Sequence, residues 1–377
     1  MLAETDSPIK KSAMFTKWID PVSGVESWIL TARTAPYQSS FYFTNESMTR
    51  DGRYLWFYCA FPPSGSSHYG RLLGVADLQE DTIRHFPETA FLDASPLIDL
   101  DSGEAYWCTG LDIWRRGPEE KDEAALVHSF PEELAKRRRP ARIATHLTFS
   151  ADRRSLSVDA EFGEQWFCGE APLDGSPIAI WQSFDRCYNH GQFSPTDPDL
   201  QLIAQDSWID QNSGHQGWLD NRMWLIRRGE EARPIRADGS SGQAHEWWGA
   251  DGKHVWYVDY KHGTEKVNIE TGERKIVWKS GTCHSHCDRS GQYVAGDIGP
   301  YTWKDGCRVA FYNTLTSREI NIVSNLPEPP LGRGRYHTDP HPQFCLNDEW
   351  ICYTTTVLGA PTVALVETKH LLDQTQL

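Results

Sequence analysis

The stretch that decides the fold is GADGKHVWYV (249–258), a polar Asp-Gly turn followed by a short strand of alternating apolar residues. Such a turn reverses the chain, and such a strand buries one of its two faces. The same pattern recurs along the whole sequence. Its other copies are TRDGRYLWFYC (49–59), DLDSGEAYWC (99–108), SADRRSLSV (150–158), SPTDPDLQLIA (194–204), DRSGQYVAGD (288–297) and CLNDEWICYT (345–354).

The copies lie roughly 40 to 57 residues apart, which is the length of a four-stranded propeller blade. We therefore predict an all-β fold, a seven-bladed β-propeller that forms a single domain over residues 1–377. An open β-sandwich or a solenoid fits seven copies of this length less well. A first strand around Ser27–Thr31 is expected to complete the last blade, and the one convincing helix lies around Glu132–Arg138.

Composition narrows the class of protein. The net charge of −15 argues against a nucleic-acid partner, because binding to phosphates needs clustered Lys and Arg. The 9 cysteines lie mostly in apolar runs and are expected to be buried free thiols. The N-terminal residues lack the apolar core of a signal peptide, and no run is long enough to span a membrane. We expect a cytoplasmic protein without a membrane partner; the sequence does not predict an oligomeric state.

Histidine recurs at one position of the repeat. It stands four residues before the polar turn in blades three to seven, and five of the 14 histidines occupy that position. One register corresponds to one height in a propeller, so these side chains are expected to converge on one mouth of the central channel, where ligands bind. The alternative is a set of histidines that brace neighbouring blades. The five are His146, His190, His245, His284 and His341.

Other polar residues accompany these histidines. Arg222 in DNRMWLIR (220–227) and Tyr260 in VDYKHG (258–263) belong to this group. The densest stretch is RGRYHTDPHPQF (333–344), where charged, aromatic and imidazole groups too polar to bury cheaply lie within a few residues. It contains Arg333, Arg335, Tyr336, His337, Asp339 and His341.

Residues 184–356 resemble the oligogalacturonate lyase family, cytoplasmic seven-bladed propellers that split short pectin fragments by β-elimination. The matching blocks occur in the family's order: NHGQFSPTDPDLQLIA (189–204), NRMWLI (221–226), HEWW (245–248), CHSHC (283–287) and TDPHPQF (338–344). The resemblance implies that Arg222 is the catalytic base and that His245 lines the active site. It also implies that His284 and His341 bind a manganese ion, and that Arg335 is the arginine of the metal-binding segment.

Two departures from the family pattern affect the expected substrate. Tyr336 replaces a metal-binding Gln, Asp339 replaces a histidine, and His337 stands at a normally apolar position. The family's His-Glu-Gly-Pro-Trp block is also replaced, by QDSWIDQNSGHQGW (205–218). A lyase for a different uronic acid linkage is therefore the second hypothesis.

β-Elimination at a uronic acid requires that the carboxylate be neutralised, that the neighbouring proton be removed, and that the leaving oxygen be protonated. We predict that His284, Asp339 and His341 bind a divalent metal, Mn²⁺ in preference to Ca²⁺, because imidazoles suit transition ions. Arg335 is predicted to clamp the carboxylate. The contacts expected with the acidic oligosaccharide are His146, Tyr336, His337 and Trp208.

Arginine is an awkward base, because its pKa exceeds about 12. A Tyr and His pair could instead transfer the protons, with Tyr188 beside His190, or with Tyr336. The CHSHC motif also suggests zinc, but Cys283 and His284 would lie on opposite faces of a strand. A propeller that binds a sugar or protein partner without chemistry remains the non-enzymatic alternative.

Overall fold

The structure is a computed structural model that describes residues 7–236, 242–300 and 306–376. It consists almost entirely of antiparallel strands, with three short helices at Pro8–Lys11, Glu132–Ala135 and Thr368–Thr375. The chain forms two compact units. Among the described residues, the first contains 7–90, 98–104, 281–300 and 306–376, and the second contains 91–97, 105–236 and 242–280.

The first unit holds three sheets, apart from residues 91–92 of the first of them, and we number the sheets as blades by their order along the chain. Blade one is Tyr37–Ser39, Tyr54–Ala60, Tyr69–Asp77 and Thr82–Leu92. Blade six is Thr282–Cys287, Tyr293–Ile298, Cys307–Asn313 and Arg318–Leu326. Blade seven is Gln343–Cys345, Trp350–Thr355, Thr362–Glu367, Glu26–Leu30 and Phe15–Ile19.

The second unit holds the remaining sheets, except for residues 98–104 of blade two. Blade two is Leu97–Ile98, Ala105–Thr109, Asp112–Arg116 and Ala125–Ser129. Blade three is Ser155–Phe162, Gln165–Pro172 and Ala179–Phe184. Blade four is Tyr188–Phe193, Leu200–Gln205, Met223–Arg227 and Arg233–Pro234, with a separate hairpin of Trp208–Ile209 and Gln216–Gly217. Blade five is Gln243–Trp248, His254–Asp259, Gly263–Asn268 and Arg274–Trp278.

Seven such sheets in sequence are those of a seven-bladed β-propeller, so the predicted fold class is confirmed. Blade seven takes strands from both ends of the chain, because Trp28 pairs with Leu365 and Ile29 with Ala364. This pairing confirms that the strand near Ser27 completes the last blade. The strand also covers the edge that Thr362–Glu367 would otherwise expose. The single domain over 1–377 stays a prediction.

Six of the seven predicted turns lie where the first strand of a blade meets the second, whereas the turn of blade three precedes its first strand, Ser155–Phe162. In blade five, Asp251 Oδ1 accepts hydrogen bonds from the backbone N–H of Lys253 at 2.9 Å and of His254 at 3.0 Å. Gly252 adopts a φ of +63°, which a residue with a Cβ rarely reaches. The turn residues therefore cap the reversal with their own side chains.

Apolar residues of the alternating strands form the cores. In the first unit, Leu55 and Phe57 of blade one pack in one cluster with Cys352 and Leu365 of blade seven. All nine cysteines are buried thiols outside any disulfide, as predicted. The helix expected near Glu132–Arg138 is present as one turn, and the sequence had not indicated the two terminal helices. Within the described ranges, no helix has the length and apolar character needed to cross a membrane.

Candidate active site

Four polar residues of the first unit form a compact cluster, which we call the imidazole cluster: His284, His337, Asp339 and His341. One candidate ligand atom from each lies within 4.8 Å of the others. His284 belongs to the first strand of blade six, and the other three precede the first strand of blade seven. His284, Asp339 and His341 are at most 3% exposed. The structure thus brings together the three predicted metal ligands and adds His337, which we had expected to contact substrate.

Asp297 orients two members of the cluster. Its Oδ2 lies 2.9 Å from His284 Nδ1, and the same oxygen accepts a hydrogen bond from the backbone N–H of His341 at 3.2 Å. Donation from Nδ1 leaves Nε2 of His284 as the ring nitrogen that can bind an ion. Burial acts to lower the pKa of His284, but the negative charge of Asp297 outweighs it and holds that pKa well above its usual value.

Asp339 is the unsatisfied member of the cluster. Arg333 Nε lies 3.0 Å from its Oδ1 and His337 Nε2 lies 3.6 Å from its Oδ2. Neither approach has hydrogen-bond geometry, and among the described residues neither carboxylate oxygen has a hydrogen-bond partner. Burial raises the pKa of Asp339 to about 6, against the opposing charges of His284 and Arg333. A buried carboxylate of this kind is costly unless a cation satisfies it.

The donor set fits a transition metal. Three imidazoles and one carboxylate suit Mn²⁺, Fe²⁺ or Zn²⁺, whereas Ca²⁺ prefers oxygen ligands throughout. The unsatisfied oxygens of Asp339 supply the negative charge that such an ion requires. The residues present therefore fit the divalent metal that the sequence predicted.

Four histidines near the starts of blades have a strained backbone. Their φ angles are +53° at His190, +56° at His245, +53° at His337 and +44° at His341. This left-handed region is uncommon for residues other than glycine, and such strain concentrates at functional sites. A bulge accompanies the repeated histidine in blades four, five and six, where the strand register shifts beside it. The bulges re-aim the side chains, which the strand alternation alone would not predict.

Arg222 is held as a cation in the second unit. Its Nε and Nη2 donate to the two carboxylate oxygens of Glu246 at 3.0 and 3.1 Å. Its Nη1 lies 3.2 Å from Asp206 Oδ2. Arg222 is 6% exposed and Glu246 is 1% exposed. Such a fork-to-fork pair strongly favours the protonated guanidinium, which is the opposite of what a base needs. Sequence reasoning had not identified Glu246.

His245 contacts a tyrosine. Its Nε2 lies 2.8 Å from the hydroxyl of Tyr260, at the end of the adjacent strand. Tyr260 is 49% exposed and His245 is half-buried, so both side chains reach the surface of the second unit. A pair of this kind can pass a proton in either direction. A contact between a Tyr and a His is therefore present at His245 and Tyr260, and the proton transfer expected of Tyr188 with His190, or of Tyr336, stays a prediction.

His146, which is buried, and His190, which is half-buried, form a pair in the second unit. His146 Nε2 and His190 Nδ1 lie 3.0 Å apart. Burial lowers the pKa of His146 to about 4, and burial together with Arg222 lowers the pKa of His190 well below its usual value. Both rings are therefore neutral near pH 7, and one of them donates to the other. His146 lies in a segment that joins blade three by isolated bridges only.

The lowered pKa of His146 predicts a pH-dependent stability. As pH falls from 6.5 towards 4, the unfolded chain binds a proton at this residue and the folded chain does not, so the free energy of unfolding decreases. The loss attributable to His146 is at most about 3 kcal/mol. We expect His146→Gln to flatten this part of the pH dependence in urea titrations, whereas His215→Gln at an exposed position should leave it unchanged. An unaltered pH dependence in His146→Gln would contradict the neutral pair.

Several predicted site residues have partners within the protein. Arg335 is exposed and donates to the carbonyl of Pro63 at 2.8 Å, so the arginine beside Asp339 is Arg333. Tyr336 is 1% exposed, and its hydroxyl donates to the carbonyl of Ser64 at 2.9 Å. This packing does not favour Tyr336 as a substrate contact or as an acid. It also does not favour Arg335 as the residue that clamps the carboxylate of a substrate bound beside Asp339.

Two further predicted residues belong to aromatic packing. Tyr188 is 4% exposed and stacks beside Phe184 at 4.1 Å between ring centroids. Burial raises its pKa to about 12, which does not favour it as a base. Trp208 is half-buried with its ring 6.5 Å from that of Trp166, so part of its surface remains open to a ligand.

Comparison with known proteins gives a consistent set of relatives, although no protein-family model matches the chain. It is 26% identical over 235 residues to an oligogalacturonate lyase of Dickeya dadantii (strain 3937), which is 52% of this chain and 60% of that enzyme. It is 25% identical over 243 residues to an oligogalacturonide lyase of Pectobacterium atrosepticum (strain SCRI 1043), with the same coverage. The match thus spans about 60% of the length of these curated relatives.

Solved structures resemble nearly the whole chain. An oligogalacturonate lyase in complex with manganese superposes with a TM-score of 0.74 at 19% identity, covering 94% of this chain and 96% of that one. The oligogalacturonate lyase of Vibrio parahaemolyticus superposes with a TM-score of 0.74 at 18% identity and the same coverage. At this identity the likeness shows the fold.

Proposed function

We propose that this protein is a lyase that cleaves uronate-containing oligosaccharides, oligogalacturonate among them, by metal-assisted β-elimination. The observation that carries this proposal is the buried carboxylate of Asp339, which lacks a hydrogen-bond partner among the described residues and lies in a cluster with three imidazoles. The names of the two curated relatives support the substrate class. The manganese held in complex by one structural neighbour supports Mn²⁺ as the metal.

The imidazole cluster would neutralise the substrate carboxylate. A bound divalent ion supplies a Lewis acid that stabilises the negative charge developing on the uronate when the neighbouring proton is removed. His284, His337, Asp339 and His341 would hold it. Asp297 fixes the tautomer of His284 through the 2.9 Å contact to Nδ1. Arg333, beside Asp339, adds a positive charge that can attract an acidic ligand to this surface.

Proton transfer is assigned to His245 and Tyr260. The resemblance implied that Arg222 is the base, but its two carboxylate partners hold its proton. His245 can instead accept the proton from the carbon beside the carboxylate, while the Tyr260 hydroxyl can protonate the leaving oxygen. The electron pair of the broken C–H bond forms the new C=C bond, and the C–O bond to the leaving sugar breaks. We assign Arg222 to positioning Glu246, the residue that follows His245.

The 2.8 Å contact between His245 and Tyr260 serves the second hypothesis, a lyase for another uronic acid linkage, equally well. A Tyr and His pair needs no activated arginine. The substrate panel described next distinguishes the two activities, since they differ in the sugar that is cleaved.

The experiment that tests the proposed function is a panel of short uronate oligomers, galacturonate, glucuronate and mannuronate, incubated with the purified full chain and Mn²⁺. β-Elimination leaves a C=C bond conjugated with the carboxylate, which absorbs in the ultraviolet. We expect such a product from galacturonate oligomers or from one other member of the panel. Absence of the product on every oligomer would reject the lyase and favour a propeller that only binds sugar or protein.

A further inference from the structure

A second group of potential ligands lies on blade five, separate from the residues used above. It has the spacing Asp-x-x-His-x-x-Glu at Asp259, His262 and Glu265, across the turn between the strands His254–Asp259 and Gly263–Asn268. One ligand atom from each residue lies within 4.8 Å of the others. We propose that this turn binds a divalent cation, Zn²⁺ or Mn²⁺, and we call it the turn site. The proposal does not depend on the lyase activity.

The distances suit an ion at the centre of the group. His262 Nδ1 lies 2.9 Å from Glu265 Oε1 and 3.6 Å from Asp259 Oδ1. Ligands that each bind an ion at about 2.0–2.2 Å stand roughly 3.0–3.5 Å apart in tetrahedral or octahedral coordination. A small adjustment of the His262 ring, which is half exposed, would therefore place all three atoms in the coordination sphere of one ion.

The charge of the group calls for a cation. Asp259 is 9% exposed and Glu265 is 2% exposed, so two carboxylates are buried close together. Within the described ranges their ion-pair partner is His262 alone, which is half exposed. Two carboxylates close together beside one imidazole form a donor set that a bound divalent cation can satisfy.

A fourth oxygen is available beside Asp259. Gln243 is 5% exposed, and its Oε1 has no hydrogen-bond partner in the part of the chain that the structure describes. Gln243 pairs directly with Asp259 across the strands, so both side chains lie on the same face of the sheet. Glu265 lies on that face too, because it pairs with Tyr257, two residues before Asp259. The unsatisfied amide oxygen is thus adjacent to the carboxylates.

One contact prepares Glu265 for binding. The Tyr257 hydroxyl donates to Glu265 Oε2 at 2.7 Å and leaves Oε1 towards His262. Hydrogen bonds from outside the coordination sphere commonly orient ligands in this manner. One nitrogen and three oxygens suit Zn²⁺ or Mn²⁺ better than Ca²⁺, which prefers oxygen ligands alone. A bound ion would also fix the turn that carries Tyr260, the partner of His245.

The test counts ions on the full chain. Protein stripped with a chelator is titrated with Zn²⁺ by calorimetry, and the metal content is measured after gel filtration. The comparison is between Asp339→Asn, in which the imidazole cluster is impaired, and the double variant Asp339→Asn/His262→Gln. We expect Asp339→Asn to retain one ion, and the double variant to lose it or to bind it at least about tenfold more weakly.

A matched control lies on the same blade. His254 also pairs with an acid three residues away, Asp251, at 2.6 Å, but it belongs to no group of three potential ligands among the described residues. His254→Gln in the Asp339→Asn background should therefore keep the ion. Because His262 is half exposed, His262→Gln is expected to fold, which near-ultraviolet circular dichroism checks. Glu265→Gln, with its buried side chain, serves as the second variant.

Two outcomes would overturn the turn site. In the first, Asp339→Asn binds no Zn²⁺ at micromolar concentration. In the second, His262→Gln and Glu265→Gln bind as many ions, with the same affinity, as their common background. Neither outcome bears on the lyase, because the count of ions is read without substrate.

Discussion

Replacing Asp339 by Asn is expected to abolish metal-dependent activity while leaving the fold as stable as before, or more so. The buried carboxylate has no hydrogen-bond partner among the described residues, so its removal deletes a desolvated charge and few stabilising contacts. The amide keeps the shape of the side chain but not its charge. We expect kcat/KM to fall by about 10³-fold, the loss of several kcal/mol of charge stabilisation.

A carboxylate that serves function is identified when its removal lowers activity but does not lower stability. Thermal unfolding and steady-state kinetics of the same preparation measure both, and Asp348→Asn in the turn of blade seven is the matched control, expected to keep full activity. A variant at Asp339 that loses several degrees in Tm along with its activity would indicate a structural role for this residue. Full activity with bound Mn²⁺ would remove Asp339 from the metal site.

The second large effect is expected at His245 and Tyr260. Tyr260→Phe removes only the hydroxyl that lies 2.8 Å from His245 Nε2, so we expect kcat to fall about 10²-fold with KM changed by no more than about twofold. His245→Gln should reduce kcat by about 10²- to 10⁴-fold, because it removes the group that accepts the proton. When kcat is measured as a function of pH, each variant should lose one limb of the profile.

His254→Gln, on the same blade, is the control for these two variants and should retain the natural kcat. If Tyr260→Phe retains the natural kcat, the hydroxyl takes no part in proton transfer, and water becomes the acid. If His245→Gln changes KM alone, His245 binds substrate and the base must be sought elsewhere, with Arg222 as the first residue to consider.

The repeated turns carried most of the information about the fold. In blades one to six an Asp or Ser side chain caps the turn's own backbone, and a strand of alternating polarity follows the turn; both features are local. The count of seven therefore predicted the blades. The role of the strand near Ser27 followed from the need to cover an edge, and its pairing with Thr362–Glu367 confirms it.

The histidine register predicted that five side chains converge on one mouth of the central channel, and this convergence stays a prediction. Within the units, the structure places His284 beside His341 and His146 beside His190. It could not predict how the side chains are aimed, because the bulges in blades four, five and six arise from the pairing of whole strands. Arg333 and Arg335 illustrate the same limit. The two arginines stand two residues apart in an irregular segment, and only the packing of Tyr336 against Tyr37 decides which guanidinium lies beside Asp339.

Partners that are distant in sequence were missed for the same reason. Glu246 follows a predicted site residue, yet its pairing with Arg222 joins two different blades. Tyr260 was noted as a polar residue of the sequence, but its contact with His245 depends on the register of blade five. The turn site carries a compact spacing that could have been found from sequence, although the same spacing in a helix would separate the three side chains differently.

The central claim, a metal-assisted elimination, is tested most directly by one measurement: formation of the unsaturated ultraviolet-absorbing product from a galacturonate oligomer by chelator-stripped protein, before and after Mn²⁺ is restored. We expect the stripped protein to be slower by at least about 10²-fold and Mn²⁺ to restore the rate. Product formation at the same rate in stripped protein, with metal analysis showing no residual ion, would contradict the account.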